Sequence, residues 1–213
     1  MMRSLNTAAS GMVAQQKNLD TIANNLANVN TTGFKSLRAE FQDVIYQSIR
    51  ASGARAGGDV TQPSALQVGL GSQFAATSGN FKQGAFLPTN NPLDIAIGGE
   101  GFFAVEMLDG SIAYTRDGSF KANANGELVT NDGYKLSGGI TIPPGATAVA
   151  ISKTGVVTAS VPGSDEPQEI GTIRLTLFSN PSGLTRIGQN LYLAGGASGT
   201  PEEKEPGVDG AGY

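Results

Sequence analysis

At 213 residues the chain is long enough for one or two domains with a real core. It contains no Cys, His or Trp. That excludes disulfides, thiol catalysis and thiolate metal sites, and it removes the commonest general base and transition-metal ligand. The net charge is −4, carried unevenly: Arg3, Lys17, Lys35, Arg38, Arg50 and Arg55 outweigh Asp20, Glu40 and Asp43 near the N-terminus, and the remainder is acidic. An acidic body with scattered basic residues argues against nucleic acid, which needs a clustered basic face.

The first element is a helix in the stretch from Leu5 to Phe34. Leu5, Met12, Leu19 and Leu26 recur every seven residues, and Ala8, Gln15, Ile22 and Val29 follow three places on. This a/d pattern asks for a partner helix to cover it. About 25 residues at 1.5 Å rise give a rod of about 37 Å. Asn30-Thr31-Thr32-Gly33 ends it, because Gly33 can turn left-handed without steric cost. The competing reading is an amphipathic helix docked on its own core.

Beyond Gly33, the spacing of Phe34, Leu37, Phe41, Val44, Ile45 and Ile49 predicts a second helical segment to about Gln47. From Ser48 the composition turns to Gly, Ala, Ser and Pro with no period, which reads as an extended, irregular arm. A β-region starts near Leu66. Leu93, Ile95 and Ile97 alternate as in a half-buried strand, and Phe103, Val105 and Met107 share a face of the next. Asp109-Gly110, Asp117-Gly118, Asn125-Gly126 and Asp132-Gly133 follow at intervals of eight, eight and seven. Such dipeptides supply the positive φ of tight hairpins, so the pattern predicts a meander. Later strands are expected at 148–152, 156–161, 169–178 and 190–193. The fold class is α+β: a long N-terminal helix, an extended arm, then an antiparallel β-rich domain of short hairpin-linked strands. The expected boundaries are 1–45, 46–67, 68–196 and a polar tail at 197–213 that adds nothing to the core.

Nothing here predicts an enzyme, a catalytic residue, a cofactor or a metal. Gly98-Gly99-Glu100-Gly101 lacks P-loop spacing, and a strand follows it rather than a helix. Asp94 is accounted for by the polar face of its strand, and the Asp-Gly pairs by turn chemistry without EF-hand spacing. Arg116 and Asp117 could pair across a hairpin. No run approaches 18 apolar residues, so no membrane-spanning helix is indicated. The N-terminus does not read as a cleavable signal peptide.

ANNLANVNTTGFK, at Ala23–Lys35, resembles the N-terminal signature of the bacterial flagellar rod and hook axial proteins. Thr89–Phe120 looks like their shared central block, and the arm at Asp43–Gly71 resembles the insertion marking the distal-rod branch. The resemblance implies a structural subunit that polymerises with itself into a helical tube and transmits torque. Its implied interface residues are Leu5, Met12, Leu19, Ile22, Asn24, Asn25, Leu26, Asn28, Val29, Gly33 and Phe34. Implied partners are other copies, proximal rod and hook proteins, a ring bushing around the rod and the type III export apparatus. No nucleic acid and no small-molecule substrate are implied. The implied location is the flagellar basal body, in the periplasm and crossing the outer membrane. Family members normally continue into a second long helix, and this sequence stops at Tyr213, about where it should begin. The alternatives are a hook or proximal rod subunit and, more distantly, a secreted β-rich binding protein.

Overall fold

The computed structural model describes residues 2–52, 64–163, 166–208 and 211–212. The chain forms two compact units. The helical unit is Met1–Val29 with Ser36–Asn80, and the β unit is Asn30–Lys35 with Phe81–Tyr213.

In the helical unit, α1 runs Met2–Ala27. It packs on a two-stranded ribbon of β1 (Leu37–Asp43) and β4 (Ser72–Gly79). The expected second helix is therefore corrected: residues 37–43 are a strand. Leu37, Ala39 and Phe41 also alternate with Arg38, Glu40 and Gln42, and β4 supplies a full ladder from Leu37↔Gly79 to Asp43↔Ser72. Pairing across the chain wins over a local spacing that both structures share. A bulge between Glu40 and Phe41 shifts the register, and Phe41 meets the Phe74 ring edge-on at 5.9 Å. The ribbon continues as β2 (Tyr46–Arg50) paired with β3 (Leu66–Gly69). The described ends of the arm are thus regular strands laddered together, not the irregular stretch expected. Residues 53–63 of it lie outside the described residues.

The β-region expected to open the β-domain near Leu66 instead splits into β3 and β4, which pair with β2 and β1, and the boundary between the units falls after Asn80.

The β unit contains β5 (Phe102–Glu106), β6 (Ile112–Thr115), β7 (Lys121–Ala122), β8 (Leu128–Val129) and β9 (Lys135–Leu136). Next come β10 (Ala148–Ile151), β11 (Val156–Ser160) and β12 (Gln168–Thr172), which form a three-stranded sheet. The chain closes with β13 (Leu175–Leu177), β14 (Thr185–Gly188), β15 (Leu191–Leu193) and β16 (Glu202–Lys204). The larger sheet runs β14-β15-β6-β5-β9-β8-β7, with β13 pairing both β5 and β16. Its central strand β5 is buried on both faces. Phe103 and Val105 enter the main core with Phe120, Leu128, Val157 and Leu175. Phe102 and Ala104 enter a second cluster with Tyr114, Phe178, Leu184 and Tyr192.

Three of the four Gly turns are hairpins with positive φ, at Gly110, Gly126 and Gly133. Asp117-Gly118 differs: it lies on the passage from β6 to β7, and a Cβ at Gly118 would collide with the Ile95 carbonyl. Close backbone approach, not turn geometry, explains that glycine. Residues 93–97 form only an isolated bridge, Asp94↔Ser119, although Ile97 is buried and Leu93 and Ile95 pack on the core. Arg116 and Asp117 do not pair: Arg116 Nη2 donates to the Gly99 carbonyl at 2.7 Å, and Asp117 Oδ1 accepts the Ser119 N–H at 3.0 Å. The expected strand at 169–178 is split into β12 and β13. The tail is also corrected. β16 pairs with β13, Ser198 is fully buried, Ala211 joins the core, and Gly212 N–H donates to the Glu100 carbonyl at 2.7 Å. Small residues and backbone groups do this, and hydrophobic patterning does not register them.

Candidate assembly interface

The helix α1 docks on its ribbon with the wrong face for an ordinary amphipathic helix. The residues turned from solvent are small or polar: Thr7, Ser10, Ala14, Asn18, Thr21 and Asn25, with Ala14 the one fully buried position. Small side chains let the ribbon approach closely, and a Cβ at Gly71 would collide with Ser10 Oγ. The apolar seam points elsewhere. Leu5, Met12, Leu19 and Leu26 are 66%, 68%, 64% and 70% exposed, and Ile22 and Val29 are exposed beside them. Full burial of each such side chain is worth about 1.5–3 kcal/mol. Here the whole row is left in water.

The amides of the signature have mixed positions. Asn24 is exposed, and its carbonyl accepts both the N–H and the Nδ2–H of Asn28. Asn25 turns inward onto the start of β1. Gly33 and the half-buried Phe34 belong to the β unit, not to the helix that precedes them. Gly33 takes φ +71 against the Arg116–Asp117 backbone. The structure therefore leaves Leu5, Met12, Leu19, Ile22 and Leu26 exposed on α1 and Val29 exposed just after it, turns Asn25 inward onto β1, and folds Gly33 and Phe34 with the β unit.

Sequence reading missed Met2 and Val13, both exposed on α1. Flanking the heptad positions was the only signal for them. It also missed the apolar dressing of the ribbon extension. Ile45, Tyr46, Ile49, Leu66 and Val68 are all exposed there, and an isolated two-stranded hairpin cannot bury them. Among the described residues no three His, Cys, Asp or Glu gather as a metal site, and no helix is long and apolar enough to cross a membrane.

The family model for the flagella basal body rod protein matches residues 5–35, the helix and its exit. The model for the flagellar hook protein FlgE/F/G D1 domain matches residues 96–159 in the β unit. The flagellar basal-body rod protein FlgG of Borreliella burgdorferi is 49% identical over 214 residues, spanning 100% of this chain and 81% of that protein. The protein of the same name from Buchnera aphidicola subsp. Schizaphis graminum is 45% identical, spanning 100% of this chain and 82% of its own. The flagellar hook protein FlgE of Helicobacter mustelae is 44% identical over 139 residues, covering 65% of this chain and 31% of that protein.

Proposed function

The chain belongs to the flagellar basal-body rod protein family, and we propose that it is a structural subunit of the distal rod that polymerises into a tubular drive shaft. The apolar seam of α1 carries this reading. It is exposed because a small, polar face holds the helix to its own ribbon, so neighbouring copies are left to cover it. Relatives named as rod proteins match the whole chain, whereas the hook-named relative matches less of it, which favours rod over hook.

In this reading the helical unit is the assembly segment, and the β2–β3 extension lies between neighbours and stiffens the polymer. The partners are other copies and adjoining rod and hook proteins. The shaft turns within a ring bushing as it crosses the periplasm and outer membrane, and its subunits leave the cytoplasm through the flagellar type III apparatus. The work is mechanical, and no bond-making step is assigned to any residue. Electron microscopy of the purified chain tests this: tubular polymers support it, and monomers at every concentration count against it.

A further inference from the structure

The turn between β5 and β6 carries Leu108, which is 95% exposed, and Ile112 at the start of β6 is exposed too. The turn is stiff. Gly110 N–H donates to the Met107 carbonyl at 3.0 Å, and Met107 N–H donates to the Ser111 carbonyl at 2.9 Å. Asp109 Oδ1 accepts both the N–H and the hydroxyl of Ser111, at 2.9 and 2.6 Å. Leu108 is thus presented on a fixed loop. A single exposed apolar side chain is ordinary on a protein surface. This one has a counterpart in the same unit.

At the other end of β5 lies a small hollow, lined chiefly by Ala96, Phe103, Ile151, Lys153, Leu175 and Pro206. Its room is about 30 Å³, above the roughly 10–15 Å³ that one water needs. Nearly all of its lining is apolar, so a water there would find few partners. Ala96 and Lys153 stand exposed at its edge. From Phe103 to Glu106, three strand steps of about 3.3 Å span about 10 Å. Leu108 lies beyond, so the tip cannot reach its own hollow. Charge agrees with the match: Lys153 is the charged residue lining the hollow, and the carboxylates of Glu106 and Asp109 flank Leu108.

We propose that the Leu108 tip of one copy seats in this hollow of a second copy, giving a head-to-tail contact between their β units. Unlike a two-fold contact, it leaves one tip and one hollow open on every pair, so the same step repeats. Contacts of this kind that do not close into a ring generate helical filaments. The proposal rests on the rod reading, which supplies the second copy.

The chain has no native Cys, so oxidative cross-linking of full-length chains reads the contact. A disulfide needs Cα atoms within about 7 Å of each other. Leu108→Cys is mixed with Ala96→Cys, and both positions are exposed, so folding is not at stake. The controls are Leu108→Cys alone and Leu108→Cys mixed with Lys121→Cys, an exposed position on β7. Linked dimers should form at least about tenfold faster than in either control, because a seated pair holds its thiols at high effective concentration. A rate no higher than the controls would overturn the seat, whether or not filaments form. Electron microscopy of the parent bears on the rod reading alone. Filaments without the cross-link would refute the seat and leave the shaft standing; the cross-link without filaments would keep the seat and remove the shaft.

Discussion

Asn25 and Leu37 exchange two hydrogen bonds: Asn25 Nδ2 donates to the Leu37 carbonyl at 2.7 Å, and Leu37 N–H donates to Asn25 Oδ1 at 2.8 Å. The side chain thus stands in for a missing ladder partner at the first residue of β1 and ties the last turns of α1 to it. Asn25→Ala leaves both backbone groups unpaired in a half-buried place, at a cost of about 1–3 kcal/mol. Hydrogen exchange at the Leu37 amide should accelerate accordingly. Unchanged protection there would mean that the amide acts only outside its own chain.

Gly118 and Gly110 are both part of Asp-Gly pairs, yet they should respond differently to alanine. At Gly110 the φ is +80 and nothing lies within reach of a Cβ, so the cost is the left-handed backbone alone, about 1–2 kcal/mol. At Gly118 the new methyl would strike the Ile95 carbonyl, forcing the backbone of two segments apart. Thermal unfolding should show Gly118→Ala to be the more damaging of the two. Equal losses would contradict the close approach.

The Glu127 carboxylate lies below its ordinary value of 4.5, chiefly through Lys135 Nζ donating to Oε1 and then Asn123 Nδ2 donating to Oε2. A folded-state value below the unfolded one means the folded chain binds fewer protons. The contribution is therefore complete above pH 4.5 and is lost as pH falls through the folded value. Urea unfolding of the parent and of Glu127→Gln should differ by a constant amount above pH 4.5 and converge below it. A difference that stays constant in acid would remove the pair from the account.

The helix and its exposed heptad spacing were legible in the sequence because a seven-residue period is a local signal; the helix ends at Ala27, before the Asn30–Gly33 stretch expected to close it, although Gly33 does take a positive φ. The meander of β5–β9 was legible from Gly110, Gly126 and Gly133. What was not legible depends on partners distant in the chain. Leu37, Ala39 and Phe41 fit a helix or a strand equally, and only β4 decides between them. The burial of Ser198 and Ala211 comes from small residues that carry no pattern. Asn25, Gly33 and Phe34 share with Leu26 the motif that carries the family resemblance, yet Asn25 turns onto β1, and Gly33 and Phe34 fold with the β unit.

The apolar side of α1 is left in water by the chain that carries it. Sedimentation velocity of the full chain beside Leu19→Asp and Leu26→Asp tests that most directly. Each charge would be left unpaired in a covered seam, while in the lone subunit these positions are already exposed. The parent should self-associate with concentration, and both variants should stay monomeric with unchanged circular dichroism and thermal unfolding. Association of either variant as strong as the parent's would contradict it.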